Sequence, residues 1–280
     1  MRLCALLLLS LTVPAVAAAP LPAPARTKVA REVRAADPRI EAARQRYLAK
    51  QRAGDLARPN AKKQANDARL HAAALDARAA YESSGDRRGK LIILEGLDLA
   101  GKSSLAELIE GAFKGLKVRV VHWGAPGVQK TALWQDAYLA ELPKQGEIVV
   151  WDRSYMGRLI YDRYYKMIDD KTVDRRIDEV NGLEAMMKNQ VDVTKLFYDT
   201  PGREMARRIG KREAIDHDKL DPKSGDYVAF RDRKQIRKRA DYAVERTGKA
   251  IEWNTLDMSE PYDGKLQALS ILAKRWSKAN

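Results

Sequence analysis

A glycine-rich turn that ends in a lysine and a serine is the first candidate for chemistry in this sequence. Residues 96–103, GLDLAGKS, fit the pattern G-x-x-x-x-G-K-[ST] at every fixed position. Glycines of this spacing let successive backbone N–H groups point inward at phosphate oxygens, and the helix that follows adds partial positive charge. Lys102 would reach the outer phosphates, and the Ser103 hydroxyl would be a ligand of Mg²⁺. The predicted phosphate-binding residues are Gly96, Asp98, Ala100, Gly101, Lys102, Ser103 and Ser104.

An Asp-Arg pair follows a second apolar run, in IVVWDRSYMGR, residues 148–158. Asp152 at the end of a strand could hold the Mg²⁺ shell or orient an attacking oxygen, and Arg153 could neutralise phosphate charge in the transition state. The alternative is structural, with Asp152 as a helix cap and Arg153 in an ion pair. From these residues the predicted metal ligands are Ser103 and Asp152.

Aromatic and basic residues then recur at helical spacing. Tyr155, Arg158, Tyr161 and Arg163 could form one wall of a cleft, or the tyrosines could belong to the core. Trp123, Trp134 and Tyr161 could each stack on a nucleotide base, but nothing in them distinguishes a purine from a pyrimidine.

A third basic element lies in residues 201–221, PGREMARRIGKREAIDHDKLD. Arg208 and Arg212 are four residues apart and therefore share one helix face. Such a helix, followed by a polar loop, is typical of a lid that closes over a transferring phosphoryl group and keeps water out. A solvated basic helix is the alternative. The predicted catalytic residues are Lys102, Asp152, Arg153, Arg208 and Arg212.

These residues need a scaffold, and the apolar pattern predicts an α/β fold. Short apolar strands alternate with helices, which favours a parallel sheet covered on both faces, with ligands at the carboxyl ends of the strands. The predicted strands are 90–96, 118–124, 147–153, 194–200 and 250–255. The predicted helices are 102–113, 129–142, segments within 154–190, 201–212, 228–247 and 262–277.

The first 19 residues have the layout of a secretory signal. Arg2 is followed by an apolar run over residues 3–13 and then by small residues, and the run is too short to span a bilayer as a mature helix. This pattern predicts an exported protein, periplasmic or secreted, with no transmembrane span after cleavage. A misassigned start codon before a cytoplasmic enzyme is the alternative. The only cysteine, Cys4, lies in this leader, so no disulfide supports the mature fold.

Residues 20–88 differ in composition from the rest of the chain. Of the formal net charge of +14 in 280 residues, residues 26–88 carry +8, with 16 lysines and arginines against 8 acids. Their many helix formers and few large apolar residues predict a solvated, helical or partly disordered arm before a domain at 89–280. A specific anion-binding module, including one for nucleic acid, is the less favoured alternative.

Taken together, LIILEGLDLAGKSS, VHWGAPG and VVWDRSYMG resemble the thymidylate kinase-like nucleoside monophosphate kinases, over roughly residues 90–275. The resemblance implies a P-loop three-layer α/β/α fold with a five-stranded parallel sheet, ATP–Mg²⁺ as donor and a nucleoside monophosphate as acceptor. It also implies that Asp98 approaches the acceptor sugar, while Asp152 and Arg153 serve metal and phosphates. The segment HWGAPG lacks the arginine of that family's acceptor loop, so the acceptor base stays open.

The same residues also resemble polyphosphate kinase 2 enzymes, which share EG-x-D-x-AGK and DRS-[WY] with residues 95–102 and 152–155. That resemblance implies a polyphosphate donor in a basic channel, with Asp98 and Asp152 beside the metal. The positive charge and the export signal favour it. Ser103 and Ser104, in place of the usual glycine pair, and the missing FQ-x-R and WKLS blocks speak against it. The motifs favour a nucleotide kinase over a polyphosphate enzyme or a non-catalytic nucleotide-binding module, and they leave a homodimer open.

Overall fold

The computed structural model describes residues 37–55, 60–124, 134–215 and 225–277. The predicted leader and most of the polar loop after the arginine-rich helix lie outside these ranges. We number the helices α1 (Pro38–Arg52), α2 (Ala61–Ser83), α3 (Lys102–Ala112), α4 (Trp134–Ala140), α5 (Asp170–Gln190), α6 (Gly202–Ile215), α7 (Gly225–Arg231), α8 (Arg233–Arg246) and α9 (Pro261–Ser277). A π-helical turn, Arg158–Asp162, lies between α4 and α5.

Five strands form one parallel sheet in the order β2-β3-β1-β4-β5. The strands are β1 (Lys90–Gly96), β2 (Lys117–His122), β3 (Glu147–Asp152), β4 (Asp192–Asp199) and β5 (Trp253–Asp257). The central strand β1 is buried along its whole length, which explains its nearly continuous apolar sequence. The carboxyl ends of β1 and β3 are adjacent in this order, so the phosphate loop and the Asp-Arg pair meet at one edge.

Successive residues of β1 point to opposite faces of the sheet and enter two different cores. Leu91 and Ile93 pack with residues of α5, α6 and α8, whereas Ile92 and Leu94 pack with residues of α2, α3 and α9. The result is a three-layer α/β/α arrangement with a five-stranded parallel sheet, which confirms the predicted fold class.

Most predicted elements are present, with shifted ends. Strand β4 begins two residues before its predicted start, and β5 begins three residues after its predicted start and ends two residues after its predicted end. The helix predicted over 228–247 is broken at Asp232 into α7 and α8. The Asp232 carboxylate accepts the Tyr164 hydroxyl and pairs with Arg231, so it is tied to the segment after the π-helical turn.

The two helices that precede the sheet are not solvated along their whole length, in contrast to the expectation for this arm. Helix α2 buries Leu70, Ala74 and Ala77 beside the helices of one face, and α1 buries Ile40 and Ala43. Small alanines allow such close helix packing with few large apolar residues, which is why composition alone suggested a solvated arm. No helix in the described ranges is both long and apolar enough to cross a membrane.

Candidate active site

The phosphate loop runs from the end of β1 into the first turn of α3. Gly96 has φ 142°, and a Cβ there would lie 2.7 Å from the Tyr198 carbonyl oxygen of the neighbouring strand. Gly101 has φ 90° and precedes Lys102, the first residue of α3. Both positions therefore require glycine, and they place the start of a helix, with its free N–H groups, at the mouth of the loop.

Lys102 is buried at the centre of this loop. Its Nζ donates to the carbonyl oxygens of Gly96, at 2.9 Å, and of Leu97, at 3.0 Å. Burial lowers the pKa of this lysine, Arg153 lowers it further, and nearby carboxylates oppose the shift. An anionic phosphate beside Lys102 would offset the free-energy cost of burying the charged ammonium group. The loop therefore favours the binding of phosphate.

Ser103 and Asp152 meet at the position predicted for a metal ion. The Ser103 hydroxyl donates to Asp152 Oδ2 at 2.6 Å, and His122 Nδ1 lies 3.2 Å from the same oxygen. A carboxylate and a hydroxyl side by side fit Mg²⁺, which prefers a few protein oxygens together with water and substrate phosphates. Bound there, the ion would neutralise charge on the phosphate oxygens. Of the three predicted metal ligands, Ser103 and Asp152 are therefore in direct contact.

The third, Asp98, pairs instead with Arg153. The Arg153 guanidinium donates to Asp98 Oδ1, and this carboxylate raises the pKa of Arg153. Arg153 has φ 76°, a conformation that costs a residue other than glycine about 1 to 3 kcal/mol. Its backbone N–H donates to the Leu94 carbonyl at 2.9 Å, which ties the strained residue to β1.

Two buried hydrogen bonds fix the chain just after Arg153. The Ser154 hydroxyl donates to Glu95 Oε2 at 2.9 Å, and the Tyr155 hydroxyl donates to Glu184 Oε1 at 2.6 Å. Both carboxylates are buried, and burial raises the pKa of each. The predicted cleft wall is thus partly core, since Tyr155 and Tyr161 are buried. The strained backbone at Arg153 is therefore fixed by its own N–H bond to Leu94 and by the two residues that follow it.

A buried lysine completes the second of these anchors. Lys195 on β4 donates to both carboxylate oxygens of Glu184 at 2.7 Å and to the Thr247 carbonyl at 2.8 Å. Its Nζ also lies 4.5 Å from the centroid of the Trp253 ring. The Tyr155–Glu184–Lys195 network therefore joins the segment after β3 to α5, β4 and the segment before β5.

Arg208 approaches the phosphate loop from α6. Its Nη1 donates to the Leu99 carbonyl at 2.5 Å, and its Nε donates to Glu204 Oε1 at 2.6 Å. Burial lowers the pKa of Arg208. Arg212, one turn later, lines the cleft in front of the loop. The structure thus brings both predicted arginines to the phosphate end of the sheet.

The cleft itself has a volume of about 450 Å³ and collects most of the predicted site. Its walls include residues 98–104, Asp152, Arg153 and Arg212, together with His122 and Trp123. Trp123 is the base-stacking candidate that lines it, whereas Tyr161 is buried beside Asp98 and Arg153. The Trp134 side chain lies outside the described part of the chain.

No role at this site was predicted for Glu95, His122 or Ser154. Glu95 and Ser154 are positions of the motifs shared with polyphosphate kinase 2 enzymes, and His122 is the last residue of β2. The signal that could have found His122 is its place at the end of a strand predicted to neighbour the one that ends in Asp152. The partner of Glu95 could not be predicted, because Ser154 comes from a distant part of the chain.

Comparison with known proteins decides between the two resemblances. The profile of the family Polyphosphate kinase 2 (PPK2) matches residues 58–279. The chain belongs to the polyphosphate kinase 2 family. It is 30% identical over 124 residues to "ADP-polyphosphate phosphotransferase 3" of Rhizobium meliloti, covering 44% of each chain. It is 23% identical over 192 residues to "Polyphosphate:AMP phosphotransferase" of Pseudomonas syringae pv. tomato, covering 67% of this chain and 38% of that one.

The solved structures agree on the fold. The polyphosphate kinase 2 of Arthrobacter aurescens superimposes with a TM-score of 0.63, at 21% identity and over 76% of both chains. The chain spans less than half the length of the curated relatives named above, at 44% and 38%. By their names, these family members are phosphotransferases that act on polyphosphate and nucleotides. The comparisons give no specific support to the resemblance to thymidylate kinase-like enzymes.

Proposed function

We propose that this protein transfers a phosphoryl group between polyphosphate and a nucleotide. The observation that carries the proposal is the meeting of a complete phosphate loop with the Asp152–Arg153 pair in a chain of the polyphosphate kinase 2 family. The curated relatives are named for reactions of polyphosphate with ADP or AMP. The proposal leaves the acceptor nucleotide to experiment, because these names differ.

The reaction requires one bond exchange. The bond between the terminal phosphorus of polyphosphate and its bridging oxygen breaks, and an oxygen of the nucleotide's last phosphate forms the new bond to that phosphorus. The shortened polyphosphate keeps the bonding electron pair. The phosphorus centre carries spread negative charge during this exchange, so positioning and electrostatic stabilisation supply most of the catalysis.

In our proposal each residue of the site has a separate role in binding phosphate, stabilising charge or holding the metal ion. The N–H groups of the phosphate loop and Lys102 bind and orient one phosphate group. Arg153 and Arg208 stabilise negative charge as it moves between the two substrates, and Arg212 adds positive charge at the mouth of the cleft. Ser103 and Asp152 would hold Mg²⁺. The ion pair with Asp98 orients Arg153 until a substrate phosphate binds to its guanidinium.

A second candidate is transfer from ATP–Mg²⁺ to a nucleoside monophosphate. The observation in its favour is the 2.6 Å hydrogen bond between Ser103 and Asp152, since a serine at this place is the Mg²⁺ ligand of nucleoside triphosphate sites. The two candidates use the same cleft and differ in the donor. The export predicted for the leader belongs with the first, since polyphosphate can persist where ATP is scarce.

Phosphorus NMR on the full chain with Mg²⁺ tests both candidates. One series offers polyphosphate with AMP, ADP or GDP, and the other offers ATP with each nucleoside monophosphate. New nucleotide phosphate signals that require polyphosphate, and that disappear in Lys102→Ala and Asp152→Asn, would support the proposal and name the acceptor. Transfer only from ATP would reverse it in favour of the second candidate. Binding of nucleotide without transfer in either series would overturn both.

A further inference from the structure

Helix α1 lies against the helix that carries Arg208, with almost no space between the two. A Cβ added at Gly210 of α6 would lie 2.5 Å from the Ile40 carbonyl oxygen and 2.8 Å from the Ala43 Cβ. Ile40 is fully buried in this contact, and Ala43 is buried as well. Gly210 therefore sets the distance between α1 and α6, since any side chain there must push the two backbones apart.

The opposite side of α6 touches the phosphate loop. Arg208 Nη1 donates to the Leu99 carbonyl at 2.5 Å, and the same nitrogen lies 2.7 Å from where a Gly101 Cβ would be. Positions 208 and 210 are about 200° apart around a helix, so these contacts lie on roughly opposite faces. Helix α6 is thus held between α1 and the loop.

Further contacts attach α1 to the same region. Lys211 Nζ lies 5.9 Å from the centroid of the Tyr47 ring, and the Arg39 guanidinium lies 5.9 Å from that of Phe230 on α7. Helix α1 is also capped at its N-terminus, where the Asp37 carboxylate accepts a hydrogen bond from the Arg39 backbone N–H at 3.0 Å. Helix α1, Pro38–Arg52, precedes the residues that match the family, which begin at 58.

We propose that α1 sets the position of Arg208 at the phosphate loop, with Gly210 as the positioning residue, and thereby sets the affinity of the loop for a phosphate chain. An arginine that is already seated loses little freedom when a phosphate replaces the Leu99 carbonyl as its partner. A displaced α6 would move Arg208 away from the loop without changing any residue of the cleft. The proposal rests on the proposed function only in its kinetic part, because phosphate-chain binding is measurable without turnover.

The test compares two glycine-to-alanine variants of the full chain. Gly210→Ala adds a methyl group at the α1 contact, whereas Gly182→Ala adds the same group on α5, where nothing lies within 4 Å. The probe is inorganic tripolyphosphate with Mg²⁺, titrated by calorimetry. We expect Gly210→Ala to weaken binding by about fivefold or more, as for partial loss of a charged hydrogen bond, and Gly182→Ala to bind like the parent. Equal affinities in all three proteins would overturn the proposal.

A double variant separates positioning from general damage. If α1 acts through Arg208, Gly210→Ala should add little to the loss already caused by Arg208→Ala, and the two effects should not multiply. In kinetics, Gly210→Ala should both raise the KM for the phosphate donor and lower kcat, with the same balance of the two effects as in Arg208→Ala, because Arg208 serves binding and charge stabilisation in the proposed function. Independent losses that multiply in the double variant would contradict the role of Arg208.

A second pair of variants guards against a misfolded Gly210→Ala. Ile40→Ala removes a buried side chain of α1 that belongs to the same core cluster as Met205 and Ile209 of α6, and Ile215→Ala removes an exposed side chain from α6. Weaker tripolyphosphate binding in the first alone supports the proposal, and parent-like binding by a folded Ile40→Ala overturns it. A parent that binds tripolyphosphate but transfers no phosphoryl group would overturn the proposed function and leave this comparison decisive.

Discussion

Arg153 and Asp98 form an ion pair between the end of β3 and the phosphate loop. Each residue is predicted to act on substrate, and in the structure the two neutralise one another. The pair also sits on a strained backbone, since Arg153 has φ 76°. We expect a phosphate bound to the Arg153 guanidinium to release the Asp98 carboxylate, which would couple substrate binding to the exposure of this acid.

We expect Arg153→Lys to lower kcat by about 10- to 100-fold, because a lysine offers a single point charge, whereas a planar guanidinium can donate to two phosphate oxygens at once. Steady-state kinetics with polyphosphate and the accepted nucleotide provides the measurement. Arg175→Lys is the matched control, since Arg175 is an exposed residue of α5 whose nearest acidic partner is 3.7 Å away. A kcat within twofold of the parent in Arg153→Lys would remove Arg153 from the proposed mechanism.

The sequence predicted those parts of the site that follow from local spacing. The phosphate loop is one continuous segment, and Asp152 and Arg153 end a strand whose place beside β1 follows from the parallel sheet. Side-chain partners that come from distant segments could not be predicted in this way. Glu184 and Lys195 lie on different elements and meet only because α5 packs on β4.

The arm before the sheet shows the other limit of prediction from sequence. Alanines at helical spacing are as typical of a solvated helix as of a helix packed closely on another, and only the partner decides. For α1 that partner is a glycine of α6, Gly210, which carries no hydrophobic signal at all. Composition therefore predicted the helices but not the faces that they bury.

Ser103→Ala tests the metal site. We expect this variant to lose most of the gain in nucleotide affinity that Mg²⁺ gives the parent, since one of the two adjacent oxygens proposed to bind the ion is gone. Affinity without Mg²⁺ should change little, because the loop N–H groups and Lys102 are intact. Calorimetric titration of ADP with and without Mg²⁺ measures both values. Ser277→Ala, in an exposed serine of α9, is the control, and an unchanged Mg²⁺ effect in Ser103→Ala would rule out this ligand.

Lys195→Met should destabilise the protein by about 3 to 5 kcal/mol, because it leaves the buried Glu184 carboxylate without its ammonium partner. Urea unfolding followed by circular dichroism measures the change. Lys63→Met, at an exposed lysine of α2 whose Nζ lies 3.4 Å from Asp67, should stay within about 0.5 kcal/mol. Replacing both partners, as Glu184→Met with Lys195→Met, should recover part of the loss. A double variant less stable than Lys195→Met would contradict this account.

The same lysine predicts how stability changes with pH. Burial lowers the pKa of Lys195 to about 8, whereas a lysine in the unfolded chain has a pKa of about 10.4. Between these values the folded protein has released a proton that the unfolded chain still holds, so unfolding takes up a proton. The contribution of Lys195 to the free energy of unfolding must then rise with pH, by at most about 1.4 kcal/mol per pH unit.

Comparing the parent with Lys195→Met isolates this contribution from the other titrating groups. The difference in unfolding free energy between the two proteins should be larger at pH 9.5 than at pH 7.5. Titration of Glu184 in the variant acts in the same direction, because burial raises the pKa of that carboxyl and disfavours its charged form as the pH increases. Urea unfolding at both pH values measures the difference. A difference that shrinks as the pH rises would show that the ion pair with Glu184, and not burial, controls the protonation of Lys195.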